Sequence, residues 1–134
     1  MSKYPESTDA PIKIHPTFGF KSKERLQQCH PNLQKIALEM IKEMDITILC
    51  GHRNEADQNQ AFISGHSKLQ WPRSKHNKTP SLAVDIAPYP VDWHDIARFD
   101  KMCDLAQEVA DRLNIKIRLG RSFSFRDYPH IELA

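Results

Sequence analysis

Four side chains raise the first chemical question: His76, Asp85, Asp127 and His130. Two imidazoles and one carboxylate, from His76, His130 and Asp85, can hold a zinc ion while leaving a coordination position open, as catalytic zinc sites require. Asp127 stands three residues before His130 and is placed to work on a bound water. Such a set points to a hydrolase. Each ligand comes from a different context: His76 from a polar loop, Asp85 from a β-like run and His130 from a closing strand. That suits a site built across a sheet. Spacing alone is weakly specific, because a chain with 7 histidines contains many His and Asp combinations.

The elements that must position these groups can be read from periodicity. Residues 1–20 are rich in proline and polar residues without a sustained period, which predicts an extended N-terminal arm. A short helix is expected over 22–28 with Ser22 as its cap. Pro31 opens a clearer helix, in which Leu33, Ile36, Ala37, Met40, Ile41 and Met44 make one apolar face. Ile46 to Cys50 is β-branched and ends at Gly51, so it reads as a buried strand, with Arg53 just beyond its end. Asn54 caps a helix that stops near Gly65. A polar loop follows from His66 to Pro80. Leu82 to Ala87 alternates as a strand, turning Asp85 away from Val84 and Ile86. A helix over 92–114, a strand over 115–119 broken by Gly120, and a last strand over 129–133 complete the order. The expectation is an α+β fold: a small, mainly antiparallel sheet flanked by helices, with one tight connection between the last two strands, and residues 21–134 forming a single catalytic domain.

Composition narrows the function. At 134 residues, one domain can bury a sufficient core without staples. Nineteen basic residues against 17 acidic ones give a net charge of +2, far from the dense basic stripe of a nucleic-acid binder, so no nucleic acid is expected. Cys29, Cys50 and Cys103 are widely spaced and odd in number, so they read as buried thiols, and with no CxxC pair any metal must be held by His and carboxylate. The N-terminus lacks the basic start and apolar run of a secretion signal, and no segment approaches the length of a membrane helix. A monomer without membrane insertion is expected.

Four ordered blocks carry a resemblance that sharpens this reading: SKERLQQCHPNLQKIA, CGHRNEADQNQAF, SKHNKTPSLAVDIAPYP and DYPHIEL. From about Phe20 to the C-terminus the chain is similar to the VanX/VanY D-alanyl-D-alanine peptidases, and most similar to their phage L-alanyl-D-glutamate endopeptidase branch. The resemblance implies a DD-peptidase-like and Hedgehog-like fold, with His76, Asp85 and His130 binding Zn2+. It makes Asp127 the catalytic base and Arg53 the cation that stabilises the substrate carbonyl. It also suggests that Ser74 hydrogen-bonds the substrate peptide, while Gln58 is a further substrate-side candidate that would hold the site loop. The chain departs from the family pattern in three places. Two more residues separate His76 from Asp85 than in the usual HxxGxAxD form. The base is Asp rather than Glu, so it must sit closer to the metal. The stretch from Gly120 to Arg126 lacks the tryptophans common in the endopeptidase branch.

The reading is therefore a zinc endopeptidase that cuts the stem peptide of bacterial peptidoglycan at the L-alanyl-D-glutamate bond, acting as a phage-type lysin. Two alternatives stay open: a D-alanyl-D-alanine carboxypeptidase or dipeptidase, and a non-catalytic module whose zinc only stabilises the fold. The absent signal leads to the expectation that the protein waits in the host cytoplasm until another factor opens the membrane to the wall.

Overall fold

A computed structural model describes residues 14–134. Most of the expected N-terminal arm, residues 1–13, lies outside the described residues. Phe18, at the end of that segment, is buried in the core.

Among the described residues, four helices and four strands run in the order α1 (Phe20–Gln27), α2 (Pro31–Ile41), β1 (Ile46–Cys50), α3 (Glu55–Ile63), β2 (Ala83–Pro88), α4 (Ile96–Arg112), β3 (Ile117–Leu119) and β4 (His130–Leu133). Single 3-10 turns precede β2 at Lys75–Asn77 and follow β3 at Gly120–Ser122. The strands form one sheet in the order β1-β2-β4-β3, every pair antiparallel. This is the α+β architecture expected from the sequence.

Alternation divides the sheet into two faces. Ile48, Val84, Ile86 and Ile131 turn to the apolar side and are almost fully buried. They join Leu33, Ile36 and Met40 of α2 and Phe99, Met102 and Val109 of α4 in one core cluster. Each such side chain contributes about 1.5–3 kcal/mol of burial free energy. The opposite face carries Asp85, His130 and Glu132, because Asp85 pairs with His130 and Ala83 with Glu132. A register shift between Ile48 and Cys50 sets Cys50 opposite Asp85.

Several boundaries differ from the sequence expectation for identifiable reasons. α1 begins at Phe20 behind Gly19, without a side-chain cap. Ser22 instead uses its hydroxyl on β1, 3.1 Å from Thr47 Oγ1 and accepting from Ile48 N–H at 3.1 Å. α4 stops at Arg112 because Asn114 adopts a left-handed conformation (φ 57°), and Ile115 N–H returns to Ala110 C=O. That return delays β3 to Ile117. The expected tight connection between the last two strands is a longer excursion, from Gly120 to Pro129, and it carries Asp127. Asn54 caps α3 as expected, accepting from Asp57 N–H at 2.8 Å, and Gly65 follows that helix at φ 82°.

Candidate metal centre and active-site cleft

His76 sits in the 3-10 turn before β2, where local hydrogen bonds fix the backbone. Ser74 caps that turn, accepting from His76 N–H at 3.2 Å, while Asn77 Oδ1 accepts from Ser74 N–H at 3.0 Å. The ring is aimed by the carbonyl of Gly51, 2.7 Å from His76 Nδ1. A carbonyl can only accept, so Nδ1 carries a hydrogen and Nε2 is turned to the site. There Nε2 meets Asp85 Oδ1 at 3.2 Å.

His130 is set up in the mirror sense. Its Nε2 lies 2.8 Å from Glu132 Oε1, and its Nδ1 meets the same Asp85 Oδ1 at 3.4 Å. The two imidazoles stand edge to face with centroids 5.2 Å apart. Three donor atoms thus converge, with the outward nitrogen of each ring tied to a protein acceptor, the arrangement that orients histidine toward a metal. Asp127 joins the group: one of its carboxylate oxygens lies within 4.8 Å of ligand atoms of both Asp85 and His130. Cys50, expected from sequence to be a buried thiol, is instead half-buried at the site and lies within 4.8 Å of ligand atoms of His76 and Asp85. Its sulfur approaches His76 Nδ1 at 3.9 Å and the Gly51 carbonyl at 3.6 Å, on the nitrogen that faces away from Asp85. Two nitrogens and one carboxylate with room left over fit a divalent ion in a catalytic rather than a closed site.

The electrostatics of these side chains agree. Burial opposes charge on both partners, yet the Asp85 carboxylate raises the His76 pKa to about 10, and the two histidines hold Asp85 well below the usual carboxylate range. His130 is raised as well: burial disfavours its charge, but Asp85 and then Glu132 outweigh it. Asp127 is shifted the other way for an acid. Burial and the neighbouring Asp85 charge push its pKa up, partly countered by His130, His76 and Arg53.

Arg53 leaves β1 just past its end and reaches back to Asp85 Oδ2 at 3.6 Å. Gln58, from α3, accepts from Arg53 Nη1 at 2.9 Å and from Asn77 Nδ2 at 3.1 Å, and donates to Ser67 Oγ and the Leu69 carbonyl. With 0% of its surface exposed and all its polar positions engaged, Gln58 holds the arginine and the loop and has no face left for a substrate. These bonds are of the loop-holding kind considered for it from sequence. Ser74 lines the cleft; its oxygen accepts from His76 N–H as the cap of that turn, and its hydroxyl hydrogen remains able to donate.

Sequence reasoning missed four residues that complete the site. Glu132 follows His130 at the two-residue step that places both on one face, a signal visible in the alternation. Asn77 bonds the Arg53 carbonyl at 3.0 Å. Gly51 and Gly120 are sites of close approach: a Cβ at Gly51 would lie 2.2 Å from the Arg25 carbonyl oxygen, and one at Gly120 would lie 2.1 Å from that of Asp127 and 2.8 Å from His130 Cβ. Only three-dimensional packing reveals these.

The site lies in a cleft of about 950 Å³, walled by Trp93, Ile96 and Tyr128 and by Lys75, Arg118 and Phe123, among others. Two imidazoles and a carboxylate that could hold a metal ion, with a raised carboxyl and a fixed arginine beside them in a cleft, form the kind of site a hydrolase uses. The chain matches the phage L-alanyl-D-glutamate peptidase family over residues 15–133 and belongs to it. It is accordingly a peptidase of the peptidoglycan stem. Among solved structures, its fold is similar to that of the Serratia marcescens L-Ala D-Glu endopeptidase ChiX, with a TM-score of 0.73 and 24% identity, covering 84% of this chain and 86% of that one. No curated protein matches the chain.

Proposed function

We propose that the protein is a zinc-dependent endopeptidase that hydrolyses the L-alanyl-D-glutamate bond of the stem peptide and serves as a phage-type lysin. The observation that carries this reading is the convergence of His76 Nε2 and His130 Nδ1 on one oxygen of Asp85. Family membership supplies the bond.

His76, Asp85 and His130 would hold the ion. When bound, it supplies Lewis acidity that polarises the scissile carbonyl and acidifies water. The chain's own groups do the rest. Asp127 removes a proton from the attacking water as its oxygen bonds to the carbonyl carbon, and delivers that proton to the glutamate nitrogen as the C–N bond breaks. The raised pKa of Asp127 suits both halves of this exchange, since a carboxylate of ordinary acidity returns a proton reluctantly. Arg53, fixed by Gln58, meets the negative charge that grows on the carbonyl oxygen. Gly51 and Glu132 keep the two imidazoles in the required tautomers.

A purely structural ion would be enclosed by a fourth protein ligand and would need neither Asp127 nor Arg53. The experiment is digestion of purified peptidoglycan by zinc-loaded protein, with mass spectrometry of the new termini and a chelated control. New N-terminal D-glutamate that disappears on chelation is expected. Released D-alanine would replace this reading with a carboxypeptidase, and an intact wall would replace it with a binding module.

A further inference from the structure

The cleft has two chemically different ends, and strand register tells them apart. On the site face, Asp85 and His130 form one row, and the next row places Ala83 beside Glu132 and Glu132 beside Arg118 of β3. Same-face rows are about 7 Å apart along a strand, roughly two steps of an extended peptide. In this row Glu132 is met by Lys75 Nζ at 3.3 Å and by Arg118 Nη1 at 3.5 Å, so two cations face one carboxylate. Lys75 is further tied to the Leu133 carbonyl. Arg118 is the looser partner: its side chain is 62% exposed and its guanidinium lies 5.1 Å over the Phe123 ring, which in turn lies 5.5 Å from His130.

In the opposite direction the strands lead to Tyr128, whose hydroxyl accepts from the exposed Arg126 at 3.4 Å, and, past Pro88, to the loop carrying Trp93, with no cation among the described residues of the strand row itself. The indole stacks on Phe99 with centroids 5.4 Å apart, yet Trp93 stays 56% exposed in the cleft wall. The base and the arginine of the site do not interrupt this axis. Asp127 lies over Gly120 on the β3 side, and Arg53 lies on the β1 side.

The substrate has a matching asymmetry. In an L-alanyl-D-glutamate bond, glutamate gives its amine; only one of its two carboxyl groups carries the peptide on, and the other remains an anion on the departing residue. The alanine side carries no charge and is joined to the sugar of the glycan. Resting on the endopeptidase reading above, we propose that the stem peptide lies along the strands with the glutamate carboxylate on Arg118 and the alanine-sugar side toward Trp93. Arg118 is then the residue that selects an unamidated glutamate. A guanidinium matches a carboxylate with two parallel hydrogen bonds, and stacking on Phe123 orders it beforehand.

The test uses two soluble muramoyl tripeptides that differ only in that glutamate carboxyl, free in one and a carboxamide in the other. Zinc-loaded wild type should favour the acid by about tenfold in kcat/KM, the scale of one charged hydrogen bond. Arg118→Gln should bring the ratio toward one, and Arg118→Lys should restore part of it. Trp93→Ala should weaken cleavage of the muramoyl substrate relative to the same peptide lacking the sugar. Equal wild-type rates on acid and amide, or an Arg118→Gln loss shared equally by both, would overturn the inference while new D-glutamate termini left the endopeptidase reading intact. Absence of those termini from either substrate would remove both. Metal content, measured alongside, should be unchanged in Arg118→Gln; a fall would assign Arg118 to support of Glu132 and His130 instead.

Discussion

Asp127 and Glu132 are both carboxylates within three residues of His130, and their surroundings give them opposite duties. Asp127, half-buried and repelled by Asp85, is raised; Glu132, though burial pushes the other way, is lowered by His130 and then Lys75. One is therefore poised to exchange a proton and the other to stay ionised behind an imidazole. Asp127→Asn should cost about 10²–10⁴ in kcat at unchanged zinc stoichiometry, read by steady-state cleavage and elemental analysis of the same sample. Glu132→Gln should weaken zinc binding by about 10–100-fold, measured by competition with a chromophoric chelator. The His76 pKa of about 10 means that the ion must displace at least one proton at neutral pH. Apparent affinity should thus rise with pH up to that value, by about tenfold per unit for each proton released. A titration that is flat from pH 6 to 8 would contradict the protonation state described here.

At the scale of elements, the site is two strands, a capped turn and a tight excursion. The strands and helices were legible because Val84 and Ile86 alternate, α2 repeats its apolar face, and Asn54 and Gly65 bracket α3. Asp85 and His130 could be placed on strands for the same reason. Their pairing could not, because antiparallel register is decided by partners distant in sequence. Nor could the cap role of Ser22 be excluded from local pattern, since its true partner, Ile48 N–H, is 26 residues away. Gly120 is the element-scale counterpart: its lack of a Cβ lets the Asp127 backbone and His130 Cβ close over the end of β3. Gly120→Ala should destabilise the fold by about 1–3 kcal/mol in chemical denaturation and also lower activity, because the same shift moves base and ligand. A variant with full activity would show that the connection can relax without disturbing either.

Across the whole molecule, stability and chemistry occupy opposite faces of one sheet. Ile86, wholly buried beneath Asp85's strand, belongs to the core, so Ile86→Ala should cost about 2–5 kcal/mol by denaturant melt, while zinc affinity of the fraction that remains folded changes little. The cleft is lined by basic side chains, among them Arg53, Lys68, Arg73 and Arg126, while Lys75 and Arg118 meet on Glu132 at one end of it. No helix among the described residues is long and apolar enough to cross a membrane. The resemblance visible in four sequence blocks anticipated the family and the fold. The polarity of the cleft was hidden, because it depends on which side chains register brings into one row.

His76 is gripped from behind by groups of the chain itself, the Gly51 carbonyl at its ring and Ser74 Oγ and the Arg53 N–H at its backbone. The pocket is thus a preset host, and exchange of its guest is separable from refolding. Chelated protein should keep its far-ultraviolet circular dichroism and accept cobalt in place of zinc at once on mixing. The visible spectrum of that ion would then report, from inside the cleft, each arrival and departure of a stem peptide.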